Sequence, residues 1–266
     1  MLKKSLSQHL IKDKNILNKI VRLSGVDKDD VVVEIGPGHG DLTRCIAEKA
    51  GFVYAIEIDR SFKEHLDEVE KTYGNVKIIF EDFLDISLAR FKADSKIKII
   101  GNIPYKITAP ILFKAIKERS VIESAHLTVQ REIAERVVSK SHKRTYGALS
   151  VDLQLLSEVK LLFILKPTVF IPPPKVDSAF LSITFKEDER ATDEKLLEFV
   201  KLCFQHKRKY MKNALMKHYD QGMIDSLYQF MGFSLSVRAE EIEPFEYKKM
   251  YAFLKAAEEN LLTERK

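Results

Sequence analysis

Glu34-Ile-Gly-Pro-Gly-His-Gly40 is the stretch on which the fold turns. A short apolar run, Val31–Ile35, leads into it, and Asp41–Ala50 leaves it with helical character. That places a glycine-rich turn between the first strand and a helix. Glycine lets the backbone turn sharply and lets a ligand approach closely. The helix N-terminus behind it can meet an anion such as a carboxylate. The spacing is Gly-x-Gly-x-Gly, which differs from the Gly-x-Gly-x-x-Gly of dinucleotide binders. Taken alone, the loop is equally well explained as a plain tight turn.

Outward from this loop the chain alternates. Ile16, Leu17, Ile20 and Val21 mark a helix over residues 14–24, which Gly25 ends. Strands are expected at Phe52–Ile56, Val76–Phe80, Ile97–Ile100, Ala125–Val129, Val159–Leu165 and Ala179–Phe185, with helices at Ser61–Thr72 and around Ile107–Ile116. Strands alternating with helices predict an α/β protein built on a parallel, doubly wound sheet. Past the charged linker Lys186-Glu-Asp-Glu-Arg190 the pattern is helical throughout, with Leu196, Phe199, Val200, Cys203 and Phe204 and later Met250, Phe253, Leu254 and Ala257. The expected organisation is an α/β domain over 1–186 and a small all-α domain over 187–266. There is no internal repeat and no low-complexity segment.

Composition bounds the function classes. The chain has 266 residues, 45% apolar and 31% charged, an ordinary globular balance able to bury a core without disulfides. The longest charge-free stretch, Ser226–Val237, has 12 residues, short of the ~20 that a membrane-spanning helix needs. Lys3 and Lys4 are followed by no apolar core of a secretory signal. Cys45 and Cys203 lie far apart and form no metal-binding spacing, so neither a disulfide scaffold nor a structural metal is expected, and a cytoplasmic setting fits. The net charge of +5 is modest, but basic residues cluster: six in residues 1–22, six in 201–217 with no acid among them, and Lys140, Lys143 and Arg144 between. Such patches fit a polyanion, nucleic acid above all, and equally fit solvated helix faces.

Three further features line up at successive strand ends. Glu57 ends the second strand, 21 residues after Gly36, where an acid accepts hydrogen bonds from both ribose hydroxyls and repels a ribose phosphate. Asp59, two residues on, reads as a bystander or a cap. Asp82 follows the third strand and can accept from an adenine amino group, although alone it reads as a turn residue. Asn102-Ile-Pro-Tyr105 follows the fourth strand. The exocyclic amine of adenine is a poor nucleophile because its lone pair is delocalised. The Asn102 amide oxygen and the Ile103 carbonyl can draw its hydrogens, and Tyr105 offers a face for a flipped base.

This set resembles S-adenosylmethionine-dependent N6-adenine methyltransferases. More narrowly, it is similar to the small-subunit rRNA adenine N6,N6-dimethyltransferase family. The resemblance runs through Lys4-Ser-Leu-Ser-Gln-His-Leu-Ile11, the glycine loop, Ile56-Glu-Ile-Asp59, Glu81-Asp-Phe83, Asn102–Tyr105, Val129-Gln-Arg-Glu132, Thr145-Tyr-Gly147 and Phe170-Ile-Pro-Pro-Pro-Lys-Val-Asp-Ser178, and on to Phe204-Gln-His-Lys-Arg208. It implies a Rossmann-like class I methyltransferase sheet with a helical, rRNA-binding C-terminal domain. It implies S-adenosylmethionine as cofactor, leaving as S-adenosylhomocysteine. His9, Ile11, Gly36, Gly38, Glu57, Asp82 and Asn102 would hold that cofactor. Asn102, Tyr105 and Phe170 would form the catalytic centre, with Phe170 opposite Tyr105 in a base clamp. Lys207, Arg208, Lys209 and Lys212 would meet RNA phosphates. The implied substrate is two neighbouring adenosines near the 3′ end of small-subunit rRNA, within a subunit or its precursor, with a monomeric enzyme, no membrane and no metal.

Three rivals share parts of the pattern. A large-subunit rRNA adenine methyltransferase of the macrolide-resistance type shares Asn-Ile-Pro-Tyr, but the Pro-Pro-Pro-Lys-Val-Asp-Ser segment and the Gly-Pro-Gly loop favour the small-subunit family. A non-catalytic RNA-binding assembly factor would keep the fold, yet Glu57, Asp82 and Asn102 are intact. An NAD-dependent oxidoreductase is disfavoured by the glycine spacing.

Overall fold

β2 (Val31–Ile35) is an unbroken apolar run save for Glu34, as befits a strand covered on both faces. It lies between β3 and β5 inside a seven-stranded sheet ordered β4-β3-β2-β5-β6-β9-β7. The computed structural model describes residues 9–92, 95–189, 192–205 and 209–264, with 260–264 described by backbone alone. The other strands of this sheet are β3 (Phe52–Ile56), β4 (Val76–Ile79), β5 (Ile97–Asn102), β6 (Ile122–Gln130), β7 (Ser157–Leu165) and β9 (Ser178–Phe185). Helices α1 (Lys14–Leu23), α2 (Asp41–Ala47), α3 (Lys63–Thr72) and α4 (Thr108–Lys117) belong to the same unit. Asp13 caps α1 by accepting from the amides of Asn15 and Ile16, and Gly25 follows in the left-handed region at φ +60°.

The sheet departs from the expected all-parallel form. β4, β3, β2, β5 and β6 run parallel, whereas β9 is antiparallel to both β6 and β7. The reason lies between β7 and β9. That connection holds Pro172, Pro173 and Pro174 and no α-helix, so nothing carries the chain across for a parallel pairing. It does contain β8 (Phe170–Ile171), which pairs antiparallel with β1 (Leu10–Ile11) in a separate two-stranded sheet. The Ile171–Pro172 peptide is cis.

The chain divides into two compact units: Met1–Ala134 with Ser157–Arg190, and Glu135–Leu156 with Ala191–Lys266. The expected boundary at 186 therefore misses that residues 135–156 go with the helical part. α5 (Arg131–Val137) straddles the first crossing, and α6 (Ala148–Leu156) lies in the second unit with α7 (Glu194–Phe204), α8 (Lys212–Leu215), α9 (Gln221–Met231) and α10 (Pro244–Glu264). α6, α7 and α10 pack on one another. Val151, Leu156, Val200, Tyr247 and Met250 are fully buried in this unit. α6 also carries Asp152, which burial pushes up to about 7 against the pull of Lys201.

Candidate active site

The carboxyl ends of β2, β3, β4 and β5 deliver the glycine loop, Glu57, Asp82 and Asn102 to one edge of the sheet, where open α/β sheets bind ligands. A cavity of about 200 Å³ opens there, lined by His9, Gly36, Gly38, Glu57, Asp82, Asn102 and Tyr105 among others. Seven of the nine residues expected at the cofactor and base sites are thus brought together, and Ile11 borders an adjacent small cavity with Glu34, Gly36 and Asn102.

The loop needs its glycines. Gly36 and Gly38 have φ of +68° and +57°, in the left-handed region, and a Cβ on Gly38 would sit 2.7 Å from Leu10 Cδ2. The Gly38 amide donates to Glu57 Oε2 at 3.1 Å, and the Asp59 amide donates to Oε1 at 2.8 Å. Glu57 is 4% exposed, and burial raises its carboxyl against these two amide bonds. Each oxygen keeps a lone pair for a further donor. Asp59 is a cap: it accepts from the Ser61 amide at the start of the short helical turn before α3. Asp82 accepts from the Leu84 amide at 2.9 Å, so the turn role is real, and its side chain still borders the cavity.

Asn102 ends β5, and its Nδ2 donates to the His9 carbonyl at 2.5 Å. The His9 ring lies on Tyr105, centroids 5.5 Å apart and planes 30° apart, and its Nδ1–H donates to the Pro172 carbonyl at 2.8 Å. Tyr105 Oη is 2.6 Å from Ser178 Oγ, and burial raises its hydroxyl. Nothing in the local sequence announces Ser178 as a support for Tyr105; its place at the end of the proline segment was the one cue.

Phe170 is the exception among the expected residues. It is 2% exposed, sits in the apolar core opposite Ile11 and does not line the cavity, whereas Ile171 is 54% exposed. Side chains alternate along a strand, and the β1–β8 pairing turns Phe170 inward. Lys207 and Arg208 lie outside the described residues. Lys209 is exposed, and Lys212 lies 3.7 Å from Asp225.

Glu34 joins the expected site residues, and the signal for it is an acid within an apolar strand. It is 1% exposed, its Oε2 has no hydrogen-bond partner among the described residues, and burial pushes it up to about 8, aided by Glu57 and Asp41. A buried carboxyl oxygen without a partner, beside the glycine loop, asks for a donor from a ligand. Among the described residues no group of three or more His, Cys, Asp or Glu is placed to hold a metal ion, and no helix is long and apolar enough to cross a membrane.

Comparison with known proteins agrees with this geometry. Residues 1–255 match the family described as Ribosomal RNA adenine dimethylase. A Ribosomal RNA small subunit methyltransferase A from Mycoplasmopsis synoviae is 36% identical over 95% of this chain and 96% of its own length. Its counterpart in Francisella tularensis subsp. tularensis is 38% identical over 95% and 97%. Among solved structures, a dimethyladenosine transferase from Plasmodium falciparum superposes with a TM-score of 0.80 at 25% identity, covering 91% of this chain and 96% of that one. The 23S rRNA methyltransferase ErmE gives 0.73 at 24% identity, covering 92% and 99%, a likeness of fold. A glycine loop, a ribose-ready acid and an Asn-Ile-Pro-Tyr end to β5, joined by near full-length kinship, leave one conclusion: the chain belongs to the ribosomal RNA adenine dimethylase family.

Proposed function

We propose that this protein transfers methyl groups from S-adenosylmethionine to N6 of two adjacent adenosines near the 3′ end of small-subunit rRNA, giving N6,N6-dimethyladenosine. The observation that carries the reading is the Asn102–Tyr105 motif at the mouth of a cleft whose other wall is the Gly38–Glu57 contact. The names of the two bacterial relatives favour the small subunit over the large one.

The residues present fit the cofactor. Glu57 offers its remaining lone pairs to the ribose, Asp82 accepts from the adenine amine, and Gly36 and Gly38 leave room for the methionine part. The orphaned Oε2 of Glu34 suits the one ammonium group the cofactor carries. His9 and Ile11 close the segment over that end. When bound, the cofactor supplies a methyl on a good leaving group, the sulfonium. Asn102 Oδ1 and the Ile103 carbonyl accept the hydrogens of the target amine and free its lone pair for in-line attack. Tyr105 stacks the extruded base. Alignment of amine and methyl contributes ~7–11 kcal/mol in well-oriented systems. The proton left on the alkylated nitrogen is acidic enough to pass to water. Phe170 supports the strand behind Ile171 and takes no direct part.

The helical unit contributes phosphate contacts through Lys207, Arg208, Lys209 and Lys212, which position without reading sequence. The substrate is rRNA within a small subunit or its precursor, the enzyme acts as a monomer, and its place is the cytoplasm. The test is mass spectrometry of unmethylated small subunits incubated with protein and S-adenosylmethionine, with large-subunit rRNA and Asn102→Ala alongside. Dimethyladenosine at two neighbouring 3′-end positions, absent with the variant, is the expected result. Methylation of large-subunit rRNA instead would move the assignment to the resistance-type enzymes, and no methylation of either, with cofactor bound, would move it to a binding factor.

A further inference from the structure

Asn102 is fixed in one of its two amide orientations by a residue 93 positions away. The His9 carbonyl has no proton, so the Asn102 atom 2.5 Å from it must be the donating Nδ2. Oδ1 is then the atom left for another partner. The acceptor itself is held from three sides. Leu10, the next residue, pairs with Ile171 in the β1–β8 ladder. The His9 ring stacks on Tyr105, and its Nδ1–H donates to Pro172.

We propose that His9 is a positioning residue whose backbone carbonyl, by accepting from Asn102 Nδ2, keeps Asn102 Oδ1 turned toward the amine that is to be methylated. The inference rests on the reading of Asn102 as acceptor for that amine. An amide flipped the other way would set an NH₂ against an NH₂, donor against donor, and the lone pair of the amine would stay in the ring. The N-terminal segment thus acts on the chemistry as well as on the cleft wall. Asn102 needs both halves of its amide: one end to be held, the other to accept.

Asn102→Asp separates the two halves. An ionised carboxylate still accepts but gives His9 no proton, so it loses the anchor. The protonated carboxyl regains it, donating to the His9 carbonyl through O–H and accepting through C=O. Glu34, Asp41, Glu57, Glu81 and Asp82, with Tyr105, Lys106 and His9, are the ionisable groups that face the same cavities, in the wild type as in the variant. The readout is therefore the single-turnover methyl-transfer rate of the variant relative to wild type at each pH, with cofactor saturating. The ratio is expected to be lowered roughly 10- to 100-fold at pH ~8.5 and to recover by ~5-fold or more toward pH ~4, where a carboxyl of ordinary pKa ~3.9 is about half protonated. A ratio independent of pH overturns the inference, whether it lies near one or at the level of Asn102→Ala. Full activity in Asn102→Ala overturns instead the parent reading of Asn102. A second measurement leaves residue 102 untouched: an ester in place of the His9–Leu10 amide weakens that one carbonyl as an acceptor. It is expected to slow transfer by about 3- to 10-fold at unchanged cofactor affinity, and an unchanged rate overturns the proposal.

Discussion

Replacing Glu34 by Gln keeps the shape of a buried side chain and removes its titration. Glu34 is 1% exposed, and burial holds its carboxyl at about 8 against an ordinary 4.5. In the unfolded chain it ionises as the pH passes its ordinary value. In the folded chain it keeps its proton to about 8. Across that window the folded state binds more protons than the unfolded one, so stability falls as pH rises. At ~1.4 kcal/mol per pH unit, the loss between pH ~5 and pH ~8 is about 3–4 kcal/mol. Glu34→Gln carries no such loss and relieves Glu57 and Asp41 of a neighbouring charge at high pH, which adds to the difference. With ~2–4 °C in Tm per kcal/mol for a unit of this size, the melting temperature of the ligand-free variant should gain ~6–15 °C on wild type over that interval. Scanning calorimetry at several pH values reads this directly. Curves that stay parallel from pH ~5 to pH ~8 would refute the reasoning. S-adenosylmethionine should reverse the ranking, since its ammonium favours the ionised carboxyl. The variant should bind it about 10- to 100-fold more weakly, as fits loss of a charge-assisted hydrogen bond.

Gly38→Ala should destabilise the chain by ~1–2 kcal/mol in denaturant titrations, because its φ of +57° is strained for any residue with a Cβ, and should weaken cofactor binding as Leu10 is pushed aside. Ser178→Ala removes the partner of the Tyr105 hydroxyl; kcat/KM for RNA should fall by ~3- to 10-fold with cofactor affinity unchanged in calorimetry. His9→Ala clears a ring from Tyr105, and steady-state kinetics should show KM for RNA lowered by ~2- to 10-fold, the worth of one aromatic stack, while kcat drops as the carbonyl that anchors Asn102 loses the ring stack and the Pro172 bond that hold it. Neutralising Lys207, Arg208, Lys209 and Lys212 together should flatten the log–log salt dependence of RNA binding by up to ~3, and an unchanged slope would return these residues to a solvated face.

Much of the sheet was legible because buried parallel strands read as apolar runs. Val31–Ile35 and Phe52–Ile56 have the bounds expected of them, and Glu57, Asp82 and Asn102 stand at strand ends as their spacing implied. The misses have a common cause: a period reports an apolar face but not what covers it. β1 and β8 have two residues each, too few to show any alternation, so nothing indicated that their pairing turns Phe170 inward and Ile171 outward. α6 is rich in leucine and buried on most sides, Asp152 included, which no single apolar face in its sequence expresses. The antiparallel setting of β9 depends on what lies between Leu165 and Ser178, and the prolines there signalled stiffness rather than direction. The hold of His9 on Asn102 joins points too distant in sequence for any local pattern to express.

The excursion over residues 135–156 carries a lesson in chain connectivity. β6 and β7 both pair antiparallel with β9, with Gln130 and Leu165 each opposite Ser178, so β6 and β7 run parallel to each other. A chain that leaves one strand and re-enters a parallel one needs a long connection, and the residues of that connection form α5 and α6. Yet α6 packs with α7 and α10, which arrive only after residue 190. The segment that links two strands of one unit therefore belongs to the other. A chain stopped at residue 186 would close its sheet and leave α6 without α7 and α10, so truncation there reports on folding and aggregation as well as on RNA contact. A clean separation of the two units calls for two cuts, with that connection replaced by a polar linker.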